Sequence, residues 1–436
     1  MKELKKEFWK YMMFAVMGMI GLSGTILVDT FFVSYRLGPD GLAALNIAIA
    51  IFGLMNGLAM MIGIGGASRY TILKSQEHHH KANQTFTLSF AMALGMGILF
   101  LLTGLYGSSW LAQCLGANQD ILSLCTTYLK TILMFAPCFL LNHLFMAFIR
   151  NDGSPQLSMC MMIVGSLTNM ILDYLFMYPF HMGLLGAALA TGLAPTMSVI
   201  IAMIYILLKR NQFHFTKISF HLSQMKAIIE PGLSSFINEL SFGIVLVVFN
   251  LLILKFAGNI GVAAYGIVAN LALIVLAIFT GVSQGIQPLL SRAFGQGQDQ
   301  DIQYLYQQGR YVVFIIGLCV LCIAYLLSSH LIALFNHENH QTLQLLANEG
   351  LRYYFIGFLF LGYNYLMIAL LSTTNQVSSV FGLSLLRGCI GIIIVACLFA
   401  FLWGLKGIWL AFPFVELMTM LIGKLKFRYG MLTSNE

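Results

Sequence analysis

The segment Gly38-Pro39-Asp40-Gly41-Leu42-Ala43-Ala44 returns 220 residues later as Gly258-Asn259-Ile260-Gly261-Val262-Ala263-Ala264. Other matches fall into register around it. Gly65 and Gly285 keep the same offset, as do Gln76 and Gln296. Leu129, Asn142, Leu144 and Ala147 match Leu351, Asn364, Leu366 and Ala369 at an offset of 222. Gly183-Leu184-Leu185-Gly186 matches Gly404-Leu405-Lys406-Gly407 at 221. Chance can produce one small-residue match in a Gly-rich chain, but three in order at nearly constant offset mark a duplication. The Gly and Ala of the first pair supply a tight connection and close helix contact, so those glycines read as structural.

The duplicated unit is a membrane unit. Of 436 residues, 59% are apolar and 9% are charged, against roughly 25% charged in a soluble domain. A mean hydropathy of +0.85 runs over the whole length. These figures exclude a water-soluble enzyme, a disordered chain and a nucleic-acid reader, and the net charge of +7 reflects basic residues set between apolar runs. Spans of about 20 residues are expected near 12–35, 43–68, 86–107, 123–148, 156–178, 183–208, 230–256, 261–287, 310–329, 345–371, 378–402 and 405–425. The expectation is an all-α integral membrane protein of twelve transmembrane helices in two parallel six-helix pseudo-repeats. Residues 1–209 form one lobe, 210–229 a cytoplasmic linker and 230–436 the second lobe. Met1 to Lys10 leads into an apolar run too long for a signal-peptide core, so it reads as a retained first helix.

Loop charges orient the spans. Seventeen Lys and Arg fall on the side of the amino terminus, including Lys2, Lys5, Lys6, Lys74, Arg150, Lys209, Arg210, Arg292, Lys426 and Arg428. Five fall opposite: Arg36, Lys130, Lys255, Arg352 and Lys406. That bias places both termini in the cytoplasm. The eight cysteines lie in or beside apolar runs with no zinc or disulfide spacing and read as small hydrophobes. His78, His79 and His80, between Lys74 and Lys81, read as a solvated basic loop. Parallel repeats related by an axis along the membrane normal put a substrate path between the halves, which is a transporter architecture rather than a pore.

Four acids sit deep in spans: Asp29, Asp173, Glu239 and Glu416. A carboxylate at that depth costs several kcal/mol unless protonated, paired or hydrated, so each is a functional candidate. Asp29 and Asp173 each lie about 17 residues into a span entering from the cytoplasm, or about 26 Å, and therefore reach one level. Two carboxylates so placed can share a proton or hold a cation. Asn169 lies one turn from Asp173 on the same face, and Thr191, about 12 Å into span 6 from the outer side, reaches a similar depth. This all-oxygen set suits a proton or a hard monovalent cation such as sodium. Glu239 follows Pro231-Gly232 near mid-membrane and is a candidate second coupling or substrate site, as is Glu416 more weakly. Arg387, inside a span, is available to neutralise either.

Twelve spans in parallel halves, the stretch Val28-Asp29-Thr30-Phe31-Phe32-Val33-Ser34 and the following Leu37-Gly38-Pro39-Asp40-Gly41-Leu42-Ala43-Ala44 resemble the multidrug and toxic compound extrusion (MATE) family, nearest its MepA-like and DinF-like bacterial members. The resemblance covers essentially the whole chain. It implies export of bulky, often cationic, amphipathic drugs by antiport with protons or sodium, in the bacterial plasma membrane, by a monomer that needs no cofactor and no nucleic-acid partner. It also implies that the first-lobe cation site falls on Asp29, Asn169, Asp173 and Thr191, and that Glu239 is the counterpart of a helix 7 glutamate used by another branch. Some relatives carry a proline in helix 1; this chain has Gly18, Gly21 and Gly24 there instead. Phe, Tyr and Met number 34, 18 and 25, a supply of adaptable surface for varied ligands. The alternative is a lipid-linked oligosaccharide or other lipid flippase of the same superfamily, which needs several basic residues in its central cavity for pyrophosphate. A membrane enzyme lacks any His, Asp or Ser cluster at catalytic spacing.

Overall fold

The computed structural model describes residues 2–218, 221–333, 335–336, 340–374 and 376–433; side chains at 26–27, 30–31, 33–43, 46–47, 49, 120 and 426–433 lie outside the described residues. Most of the helix 1 stretch, the first copy of the repeated segment, and Arg36, Lys426 and Arg428 fall in that group.

Helices make up most of the described chain, and no strand occurs among the described residues. Its elements are α1 (Lys2–Ser75), α2 (His79–Cys114), α3 (Gln119–Met134), α4 (Ala136–Asn151), α5 (Pro155–Met177), α6 (Gly183–Leu207), α7 (Leu222–Gly295), α8 (Asp299–Leu326), α9 (Ser328–Ala333), α10 (Gln341–Tyr354), α11 (Phe358–Thr373), α12 (Val377–Gly388) and α13 (Ile390–Thr433). Eight stretches are long and apolar enough to cross a bilayer, among them α10 with α11 and α12 with most of α13, and α3 with α4, bent by 47°, makes a ninth. At 1.5 Å per residue a straight helix of the length of α1 or α7 would run to about 110 Å, well over twice a bilayer. Each therefore holds two spans, and α13 begins a third such merger. The reversals are at Gly258 (φ 62) and Gly404 (φ 61), where backbone that only glycine adopts without strain turns the chain back. With the amino-terminal part of α1, the spans number twelve.

The repeat seen in the sequence is a repeat of geometry. Gly404 and its mate Gly183 share positive φ, 61 and 57, as do Gly297 and its mate Glu77, 67 and 62. The fourth span of each half breaks at an equivalent place. In the first half the chain bends at Phe135, just before Pro137, which lacks an N–H. In the second, a 3₁₀ turn at Phe355–Gly357 separates α10 from α11.

Two apolar cores follow. One gathers residues of the first half around Phe86, Phe145, Phe148 and Phe213. The other gathers the second half around Phe279, Phe358 and Trp409, and it also takes in Leu4, Phe8, Tyr11 and Met12 from the start of α1. The first span therefore crosses to the second half. Close approach requires it: a Cβ on Gly281 would meet Val16 at 2.6 Å and one on Gly285 would meet Met12 at 2.8 Å. The mirror contact lodges the start of α7 against the second span of α1, where a Cβ on Gly65 or on Gly232 would lie 2.0 Å from a backbone oxygen of Ile228 or Met61. The connection after α6 docks on the first half: Asp152 accepts from Lys74 (2.9 Å), Tyr70 (3.3 Å) and the Gln212 N–H (2.8 Å). His79 and His80 are exposed at the start of α2.

Candidate functional site

Helix α5 presents Asn169 and Asp173 one turn apart, and both are buried, Asp173 completely. Its oxygens need donors, and the neighbours provide one. The Asn169 amide donates to Asp173 Oδ2 (3.1 Å) and accepts from the Thr191 N–H (3.2 Å). The opposite amide orientation would turn the Asn169 oxygen toward the carboxylate, acceptor against acceptor, and so is excluded on hydrogen-bonding grounds. Asp29, from α1, lies within electrostatic reach of Asp173. Tyr128 of α3, buried, lies beside the Thr191 side chain and in the field of both carboxylates. Four elements thus converge on the predicted quartet of Asp29, Asn169, Asp173 and Thr191. Among the described residues, Asp29 Oδ1 and Asp173 Oδ1 are buried without a hydrogen-bond partner. Two unfilled acceptor oxygens beside a threonine and a tyrosine hydroxyl fit a proton or a hard monovalent cation.

The remaining acids separate in the second half. Glu416 is fully engaged: Arg387 donates to its Oε1 through Nη2 (2.8 Å) and Nε (3.2 Å), and Asn364 donates to its Oε2 (2.7 Å). Arg387 also donates to Asn238 Oδ1 (3.3 Å), and its guanidinium lies 4.5 Å from the ring centre of Tyr365. Glu416 is therefore the counter-charge of Arg387, the structural option among those open from sequence. Glu239 is different. Among the described residues its one hydrogen bond comes from Asn56 of the first half (3.4 Å). It lines a cavity of about 70 Å³ between the halves, with Asn238, Gln284, Gln287 and Tyr365. A drug-sized ligand needs about 300 Å³ or more, so the cavity as it stands has room for little more than an ion or water, and a drug requires the halves to part.

Below the cavity, toward the end carrying both termini, the halves are closed by side chains. Ser68 and Ser291 hydrogen-bond each other at 2.9 Å, Gln287 reaches the Ile64 carbonyl at 3.4 Å, and buried Arg150 donates to Gln284 at 2.9 Å. Each of these contacts joins a residue of the first half to one of the second. Arg292 pairs with Glu7 just outside them, and that hydrogen bond pushes the guanidinium above the usual arginine range.

A profile of the MatE family matches residues 15–175 and 235–397, one stretch in each half. The chain belongs to the MatE family. Among MatE relatives it is similar to the multidrug export protein MepA of Staphylococcus aureus strain MRSA252, 24% identical over 415 residues that cover 93% of this chain and 90% of the relative. It is similar also to MepA of Staphylococcus saprophyticus, 25% identical over 413 residues with the same coverage. Solved structures share the fold. An outward-facing multidrug resistance MATE transporter of the MOP superfamily superimposes with a TM-score of 0.92 at 21% identity, covering 99% of this chain and 97% of that one. A MOP superfamily transporter from Pyrococcus furiosus superimposes at 0.91, with 21% identity and the same coverage.

Within this MatE fold, Tyr128 is the site residue that sequence reasoning passed over. The Arg387–Glu416 pair yields a stability prediction. Arg387→Gln or Glu416→Gln strands a buried charge and is expected to cost about 3–5 kcal/mol. The double change to Met and Leu should recover part of that, measured as thermal unfolding of the purified protein in detergent.

Proposed function

We propose that the protein is a secondary active exporter of amphipathic, often cationic, compounds, driven by protons or sodium moving inward through Asp29, Asn169, Asp173 and Thr191. The observation that carries the reading is the pair of buried carboxylate oxygens on Asp29 and Asp173 that have no hydrogen-bond partner among the described residues, set among Asn169, Thr191 and Tyr128. Two carboxylates at that depth hold a proton or a cation between them far more readily than two bare charges. The names of the relatives, multidrug export proteins, support the substrate class. In this reading residues 1–209 and 230–436 rock against each other about 210–229, both termini face the cytoplasm of a bacterium, and a single chain suffices. The bias of 17 basic residues against 5 supports that orientation.

The chemistry runs as an exchange. Cation uptake between Asp29 and Asp173 changes the charge at the junction of α1, α5, α6 and α3, and the first half repacks. The cavity beside Glu239 contracts, and the bound compound leaves outward. Resetting requires the contacts at Ser68–Ser291 and Arg150–Gln284 to open so that the cytoplasm reaches Glu239.

The cavity wall favours export of cations over flipping of a pyrophosphate-linked lipid. Its described lining has one acid, Glu239, and no Lys or Arg, and Arg387 behind it is already paired. Glu239→Gln is expected to weaken transport of a monovalent cation such as ethidium by about tenfold, the order expected for losing one partly screened charge pair, while an uncharged substrate is little affected. Equal losses for both would remove Glu239 from substrate selection. Efflux from proteoliposomes with a pH gradient and a sodium gradient imposed separately tests the overall reading and identifies the ion.

A further inference from the structure

A second cavity lies apart from the transport path. It is a cleft of about 550 Å³ between the start of α5 and the end of α6, at the end of the molecule carrying both termini. Its walls are of two kinds. Leu157, Ile204 and Leu208 are apolar, and Ile204 and Leu208 remain 50% and 59% exposed, so this side of the cleft opens to the bilayer. Ser154, Tyr205 and Arg210 make the other wall.

The polar wall is prepared for an anion. Ser154 Oγ and Tyr205 Oη lie 3.1 Å apart, and Tyr205 is buried. One proton suffices to join two hydroxyls, so the second is left to donate elsewhere. Arg210 lines the same cleft, and a backbone turn sets where its chain leaves α6. Lys209 sits at φ 54, a left-handed conformation that a lysine adopts only at a cost, and the turn returns the Arg210 N–H to the Tyr205 carbonyl at 3.3 Å. No ion pair to Arg210 occurs among the described residues. The α5 helix also starts here, with Pro155 in its first turn and no side-chain cap from Ser154, which leaves its amino-terminal dipole uncompensated toward the cleft.

A guanidinium with no ion pair among the described residues, a spare hydroxyl proton and an apolar wall open to lipid match one chemistry: a phosphodiester with hydrocarbon chains attached. We infer that this cleft binds the head group of an anionic glycerophospholipid of the leaflet on the termini side, with Arg210 and the Ser154–Tyr205 pair on the phosphate and an acyl chain along Leu157, Ile204 and Leu208. In the proposed orientation that leaflet is the cytoplasmic one, rich in anionic lipid. The bound lipid ties the foot of α5, which carries Asn169 and Asp173, to the foot of α6, which carries Thr191.

The test uses the full chain, purified and titrated with phosphatidylglycerol, with phosphatidylcholine of the same acyl chains and with inorganic phosphate, and read by native mass spectrometry. The wild type is expected to retain phosphatidylglycerol in preference to phosphatidylcholine. Arg210→Gln should weaken retention about fivefold, the worth of one basic residue near an anionic lipid. Tyr205→Phe, which keeps the ring, should weaken it less. Lys217→Gln, in the same connection but outside the cleft, should leave it unchanged. Equal retention by Arg210→Gln and wild type would overturn the site. A loss as large in Lys217→Gln would make the binding diffuse surface charge and overturn it too. Displacement of the lipid by inorganic phosphate alone would make it a free-anion site, again against the inference.

Discussion

Replacing either Asp29 or Asp173 by Asn is expected to abolish gradient-driven export while leaving the protein folded. The side chains are isosteric, and an Asn at 173 can still accept from the Asn169 amide through its own oxygen, so the local packing survives. What is lost is the ability to change charge. An inward potential of 100 mV drives a monovalent cation by about 2.3 kcal/mol, which corresponds to about a 50-fold accumulation ratio for an uncharged substrate exchanged one for one. Without a chargeable site that ratio collapses to one. Vesicles preloaded with substrate and given a pH or a sodium gradient should show efflux at the protein-free rate for both variants, whereas substrate binding in detergent should persist. If both variants pumped at the wild-type rate under either gradient, the coupling site would lie elsewhere.

The second large effect concerns closure. With the eight native cysteines replaced, Ser68→Cys with Ser291→Cys should form a disulfide on oxidation, because the two hydroxyls already lie 2.9 Å apart across the interface. The reach of a disulfide, about 3.5–4.5 Å between Cβ atoms, suits a pair in this contact. Oxidised protein should be silent in transport and recover on reduction. The physical reason is the cavity: at about 70 Å³ it takes no drug until the halves part, and the bond forbids parting at this end. Full transport by cross-linked protein would mean that the halves separate somewhere other than at Ser68 and Ser291.

Much of this was legible in the sequence, and the residues show why the rest was not. Part of the duplication is carried by glycines at positive-φ turns, so Gly183 of one copy answers Gly404 of the other, although Glu77 holds the turn that Gly297 makes in the second. The quartet was legible because depth along a helix is simple arithmetic and carboxylates in apolar spans are few. Tyr128 had the same depth but no such contrast, being one of 18 tyrosines that mostly serve packing. The pairing of Glu416 with Arg387 and Asn364 joins α13 to α12 and α11, and no spacing rule predicts which of two deep acids an arginine will meet. Nor could an offset match tell that Gly65 and Gly285 mark the crossing of each first span into the opposite half.

That crossing has a consequence for how the protein is made. Leu4, Phe8, Tyr11 and Met12 find their neighbours in the core that begins near Phe249 and runs beyond Trp409. At a synthesis rate of about 5–20 residues per second, the first span waits roughly 15–50 seconds for Gly281 and Gly285 to be translated. Through that interval it stands in the lipid, or in the insertion machinery, with Asp29 at depth and without the α5 and α6 partners until those helices arrive. The cost of the Asp29 carboxylate therefore falls first on biogenesis. The membrane-insertion apparatus, ahead of any drug or gradient, is the earliest agent to select how polar helix 1 can be.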